Sequence, residues 1–130
     1  MNNRLRIVSR TALGLVWLYE GLVPKLLFVR LEQIDRVRES GFGLGAPELT
    51  LQAMGIAQTA LGIWLLVGCA ERVAVAIATA WMCVLIVLVA RSNPDLLSDP
   101  YGALIKDLCL MACAYTVWIL SAQPANARTK

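Results

Sequence analysis

Four long apolar runs, separated by short polar stretches, account for most of the chain. The runs cover about residues 7–28, 49–70, 73–90 and 101–122. Each has the roughly 17 to 25 residues that a helix needs to cross a bilayer. The pattern therefore predicts an all-α protein, an integral membrane four-helix bundle with its helices in up-down antiparallel order. All of residues 1–130 would form this single membrane domain.

A different pattern follows the first run, where residues 30–40 read RLEQIDRVRES. Charged residues fill most positions, and Glu32 precedes Arg36 by four residues, the favourable order for a helical ion pair. The apolar positions recur one helical turn apart: Leu31, Ile34 and Val37. This spacing predicts a short amphipathic helix on the membrane surface after the first span.

Composition supports a membrane protein, since 58% of the residues are hydrophobic and 16% are charged. A net charge of +3 gives no reason to expect nucleic-acid binding. Histidine is absent, which excludes a histidine general base and imidazole ligands to zinc or haem. The four cysteines lack metal-ligand spacing, so we expect no metal site and interpret them as small core residues. The sequence shows no pairing of a nucleophile with a base, so we name no catalytic residues; this favours a protein that is not an enzyme but leaves the question open.

The up-down order brings polar residues from all four runs to one face of the membrane. They are Glu20, Lys25, Glu48, Gln52, Arg91, Lys106 and Asp107. Because an unpaired charge inside a bilayer is costly, the polar stripes of the helices should face one another. Asp107 is one position round the helix from Lys106, so we expect it to point elsewhere.

The candidate ligand-binding or buried polar cluster lies at this face. It consists of Trp17, Glu20, Lys25, Gln52 and Lys106. Trp17 could fill space or stack on a flat ligand. Glu20 and Lys106 could form a structural ion pair or handle a ligand or proton; the sequence leaves both alternatives open. Pro24 cannot donate to the carbonyl of Glu20, which predicts a kink or a polar neighbour there.

Two stretches carry a resemblance to a known family. LGLVWLYEGLVPKLLF in the first run and NPDLLSDPYGALIKDLCLM leading into the fourth resemble the DoxX-like family of small four-span membrane proteins. The resemblance departs at Tyr101, where the family often has Phe, and at Asp107, where Asn is common. It marks Glu20, Lys25 and Lys106 as recurring positions, together with four positions interpreted as structural: Gly21, Pro24, Pro100 and Gly102.

The resemblance implies a fold more firmly than a function. Similar proteins include a membrane subunit of a thiosulfate:quinone oxidoreductase and a membrane protein that assembles with superoxide dismutase and a sulfurtransferase. This implies a non-catalytic membrane subunit, or a ligand-binding and assembly partner, of a redox or stress-related system. One alternative is a quinone-binding oxidoreductase subunit in which Glu20 passes the proton. Another is a small transporter or lipid-handling protein, so the expected ligand is a quinone or a lipid.

The expected location is the bacterial inner membrane, with several spans. Six Lys and Arg residues fall on each face, so the positive-inside rule gives a tie. The basic N-terminus and the short turn at 71–72 favour placing both termini in the cytoplasm. Expected partners are the lipid bilayer, a soluble or membrane redox protein and further copies of the chain.

Overall fold

The computed structural model describes residues 2–41, 45–92 and 103–122, and every regular element in these ranges is helical. The elements are helix α1 (Asn2–Leu22), a π-helical segment (Val23–Leu27), and helices α2 (Leu31–Glu39), α3 (Pro47–Val67), α4 (Glu71–Ser92) and α5 (Ala103–Ser121). The all-α bundle predicted from the sequence is therefore confirmed.

The four long helices form a ring in which α1 packs against α3 and α5, and α4 packs against the same two helices. Helices α1 and α3 are antiparallel, because Gly14 meets Gly62 while the later residue Gly21 meets the earlier residue Gly55. The short α2 crosses from the end of α1 to the start of α3 and packs on α3. The ends of α1 and α4 and the starts of α3 and α5 therefore share one end of the bundle.

Helices α1 and α3 touch through glycines. A Cβ atom on Gly21 would lie 2.5 Å from the backbone nitrogen of Thr59, and one on Gly62 would lie 2.5 Å from that of Leu18. Non-bonded carbon and nitrogen atoms overlap at this distance, so a Cβ atom would force the two backbones apart. Small residues are thus required at these positions, as in many membrane helix pairs.

The interior of the bundle is an apolar core to which all four long helices contribute. Trp17 and Trp81 meet edge to face there, with their ring centroids 6.3 Å apart, a favourable aromatic geometry. The buried core residues are Leu13, Trp17, Leu61, Leu65, Ala74, Val75, Ala78, Met82, Leu110, Ala114 and Val117.

The outside of the bundle carries many large apolar side chains, as expected of helices in lipid. Within the described residues, α3 and α4 are each long and apolar enough to cross a membrane. The number of candidate spans among the described residues is three if α1, its π-helical extension and α2 together form one broken span. Helix α2 meets this extension at a bend of 102°. Four spans stay a prediction.

The turn between the second and third long helices differs from expectation. It lies at residues 68–70, and Glu71 and Arg72 already belong to α4. Gly68 ends α3 in the left-handed conformation, with φ of 79°, and its N–H bonds to the Trp64 carbonyl. Glu71 then stands in the first turn of α4, where a carboxylate interacts favourably with the helix dipole.

The surface helix forms where the sequence predicted it. Ile34 is buried against the bundle, Val37 is half-buried and Leu31 is exposed. The ion pair recorded on this helix joins Arg38 to Asp35 at 3.3 Å, in place of the expected contact between Glu32 and Arg36.

Candidate functional site

The site begins where Pro24 interrupts the first long helix. From Val23 to Leu27 the chain forms a π-helical turn, in which the Phe28 N–H donates to the Val23 carbonyl at 2.8 Å. Such turns are rare and occur often at functional positions. The Lys25 ammonium donates to the Glu20 carbonyl at 3.2 Å. The polar neighbour predicted for this carbonyl is therefore confirmed, and it is supplied by the same turn.

Lys25 also reaches the neighbouring helix α3. Its ammonium donates to Oε1 of Gln58, a side chain with 0% exposure. Both acceptors of Lys25 are neutral, and no ion pair joins it to a described carboxylate. The Lys25 charge is thus held by dipoles, which orient the ammonium but do not neutralise it.

Sequence reasoning selected Gln52 and missed Gln58. Gln52 is exposed and makes no side-chain hydrogen bond recorded among the described residues. A signal for Gln58 was nevertheless present, because it lies three residues after Gly55 and four before Gly62. Both glycines are buried. A polar residue at helical spacing from two small residues is on the same interior face as they are.

Glu20 and Lys106 form an ion pair between the neighbouring helices α1 and α5. Their side chains are partly exposed, 28% for Glu20 and 42% for Lys106. The carboxylate of Asp107 is 3.8 Å from the Lys106 ammonium. The expectation that Asp107 points elsewhere is therefore wrong, because the long lysine side chain can curl toward its neighbour.

Trp17 lies deeper than the other candidates. It is only 3% exposed and belongs to the apolar core beside Trp81. Its indole N–H is buried without a described hydrogen-bond partner. A flat ligand could stack on this ring only if the core opened, so the position favours the space-filling interpretation.

The four positions interpreted as structural divide into two groups. Gly21 lies in the close contact between α1 and α3, and Pro24 is the second residue of the π-helical segment. Pro100 and Gly102 lie outside the described residues.

A second polar cluster, at the opposite end of the bundle, was missed by sequence reasoning. Glu71 accepts hydrogen bonds from Arg10 and, at 2.8 Å, from the Ser121 hydroxyl, and Arg6 Nε lies 3.6 Å from it. One carboxylate thereby joins α1, α4 and α5. Nearby, the Arg72 guanidinium lies 4.5 Å from the centre of the Trp118 ring. We call the residues around Glu71 the Glu71 cluster: Arg6, Arg10, Glu71 and Ser121.

The cysteines do not lie in the core as expected. Cys69, Cys83 and Cys109 are exposed on the bundle, and Cys113 is half-buried. A small side chain alone does not bring a residue into the core. In this bundle the small residues at the core and the close helix contacts are Ala and Gly. Over the described ranges no three His, Cys, Asp or Glu residues are grouped so that they could hold a metal ion.

Comparison with known proteins supplies the family. No curated protein and no solved structure matches the chain. A sequence model described as the DoxX-like family matches residues 14–115, most of the chain. The matched region contains the π-helical turn, the α1–α3 contact and the Glu20–Lys106 pair. With its apolar helices and this match, the chain is a multi-pass membrane protein that belongs to the DoxX-like family.

Proposed function

We propose that this protein is a non-catalytic membrane subunit that assembles a partner protein of a redox or stress-related system. The partner would dock at the end of the bundle that carries the Glu20–Lys106 pair. The protein would reside in the bacterial inner membrane with both termini in the cytoplasm. That orientation would put the docking end on the periplasmic side.

The observation that carries the proposal is the partial exposure of the Glu20–Lys106 pair. Complete burial would desolvate both charged groups at a cost and would hide them from any partner. Here both side chains keep accessible surface, and the Asp107 carboxylate adds a third charged group beside them. Charged groups at the edge of an apolar body favour recognition of a complementary surface and discriminate against other partners.

The geometry supports the quinone-binding alternative less well than the docking role. It needs an accessible aromatic ring and an unpaired carboxylate. Trp17 is in the core, and the Glu20 carboxylate is engaged by Lys106.

The test is native mass spectrometry on the protein released gently from its own membrane. We expect a partner protein to leave the membrane with the wild-type chain in a fixed ratio. The double exchange Glu20→Lys with Lys106→Glu keeps an ion pair between α1 and α5 but reverses the charges that the partner meets. It should preserve the bundle and abolish co-release of the partner.

The control variant is Arg72→Gln, which changes one charge at the opposite end of the bundle and should keep the partner. A wild-type protein that is released alone, or a partner that stays bound to the double exchange, would contradict the docking role. A co-released quinone that is lost from Glu20→Gln would support the enzyme alternative instead.

A further inference from the structure

A cavity of about 260 Å³ lies between the surface helix α2 and the bundle, next to the π-helical turn. One side of it is formed by Lys25, Gln33 and Arg36. The other side is apolar and comes from α3 and α4. Its walls include Leu51, Leu85 and Leu88. The cavity is therefore cationic and polar at one side and hydrocarbon-like at the other.

The two cations are available to an anion. Lys25 is bound by neutral acceptors only, and Arg36 forms no ion pair with a described carboxylate. Two of the nearby acidic groups are engaged with other cations. Glu20 pairs with Lys106, and Asp35 pairs with Arg38. Glu32 and Glu39 are exposed on α2 and do not line the cavity.

Gln33 supplies an independent observation. Its Oε1 atom is buried and accepts no hydrogen bond from the described residues. A buried acceptor without a donor is costly, by roughly the free energy of desolvating the group. A hydroxyl group of an occupant would supply the missing donor.

We infer that this cavity holds the headgroup of an anionic phospholipid that also carries hydroxyl groups, with its phosphate between Lys25 and Arg36 and a hydroxyl donating to Gln33. Guanidinium and ammonium groups bind phosphate through charge-assisted hydrogen bonds. The volume is too small for a complete two-chain lipid. The acyl chains would extend out of the cavity along the leucines that line it. They would then lie on the apolar exterior of α3 and α4, where Ile56, Val84 and Val87 are exposed.

This site shares Lys25 with the polar cluster but does not depend on the docking role. A partner protein would meet Glu20 and Lys106 between α1 and α5, whereas the lipid would occupy the space under α2. The two hypotheses therefore fail separately.

The experiment uses the complete protein, freed of lipid in a neutral detergent and titrated with phosphatidylglycerol. Native mass spectrometry counts the bound lipids. We expect one tightly bound phosphatidylglycerol, and for Arg36→Gln a loss of affinity of at least about tenfold, as one charge-assisted hydrogen bond would give. The matched control is Arg38→Gln, which removes the same charge from the same helix but does not line the cavity. Its affinity should stay within about twofold of wild type.

A second pair of variants tests the cavity itself without changing charge. Leu85→Trp fills the apolar wall and should abolish the tight binding. Ile77→Trp adds the same ring eight residues earlier on α4, at an exposed position that does not line the cavity, and should leave binding intact.

Three outcomes would overturn the inference. Equal losses for the two arginine variants would mean that the surface charge of α2, not this cavity, attracts the lipid. Equal affinity for phosphatidylcholine would show that the cations do not select the headgroup. Equal affinity for oleate would make the cavity a carboxylate site and not a phospholipid site.

Discussion

Gln58 shows how one buried polar side chain can be fixed by a single partner. Its Oε1 accepts from Lys25, while its Nε2 is buried without a described partner. In an interior with few polar groups, the bond to Lys25 is therefore the main reason that an amide can be kept there. The amide in turn holds the ammonium near the end of the π-helical turn.

At the residue scale, we expect the two glutamines of α3 to respond differently to the same substitution. Gln58→Leu leaves the half-buried Lys25 ammonium without its α3 acceptor and should lower the free energy of unfolding by about 1 to 3 kcal/mol. Gln52→Leu changes an exposed side chain and should stay within about 0.5 kcal/mol of wild type. Reversible unfolding in mixed micelles measures both variants. Equal effects would mean that the bond between Lys25 and Gln58 contributes little.

At the scale of helices, the packing of α1 on α3 depends on how closely the two backbones approach. We predict that Gly21→Ala weakens this contact strongly, because the new methyl group would overlap the backbone at Thr59. Overpacking of this kind typically costs about 1 to 3 kcal/mol. The loss should exceed the roughly 1 kcal/mol that alanine gains over glycine from helix propensity.

The matched control for Gly21→Ala is Gly14→Ala, on the same helix. A Cβ there would lie 3.0 Å from the Leu66 side chain and 3.1 Å from the Gly62 carbonyl oxygen, so its closest backbone contact is looser than the 2.5 Å contact at Gly21. Both variants gain the same helix propensity, so their difference in thermal unfolding temperature reports the backbone clash. A lower unfolding temperature for Gly14→Ala than for Gly21→Ala would contradict the close approach at Gly21.

The helices themselves could be predicted from the sequence to a large extent, because apolar periodicity and Pro24 are local signals. The first and last residues of the helices were harder to predict from the sequence. Helix α1 begins at Asn2, earlier than the apolar run, and its arginines at positions 6 and 10 are bound to a carboxylate on α4. That carboxylate, Glu71, looked like a turn residue. Contacts between residues far apart in the chain decided its position, and no periodicity within one run could reveal them.

The candidate site was predictable in outline only. The sequence brought Glu20 and Lys106 to the same end of the bundle, since up-down order fixes which helix ends are neighbours. It could not choose between Gln52 and Gln58, because both lie on faces of α3 that have small residues at helical spacing. The cavity beneath α2 depends on the bend of 102° after the π-helical turn, an angle that the residue types do not specify.

At the scale of the whole molecule, the Glu71 cluster should contribute more stability than any surface ion pair. We expect Glu71→Gln to destabilise the bundle, approaching the roughly 3 to 5 kcal/mol seen when one partner of a buried pair is removed. The side chains involved are 11% to 19% exposed, which keeps the loss below that of complete burial. Chemical unfolding in micelles measures the change.

The control for Glu71→Gln is Asp35→Asn, which breaks the exposed pair with Arg38 and should cost at most about 1 kcal/mol. If the two variants were equally stable, the Glu71 cluster would not hold α1, α4 and α5 together.

Because of the position of the Glu71 cluster, the helices are not held equally firmly at the two ends of the bundle. At that end, one carboxylate and a short turn tie the long helices to one another. At the other end of α4, the Ser92 hydroxyl donates to the Leu88 carbonyl of its own helix. At that opposite end, polar bonds join α1 with its π-helical extension to α3 and to α5, but no recorded side-chain bond ties the described end of α4 to another helix. Thermal motion should therefore move the end of α4 more than the ends of its neighbours, and a lipid in the cavity lined by Leu85 and Leu88 would restrain that motion.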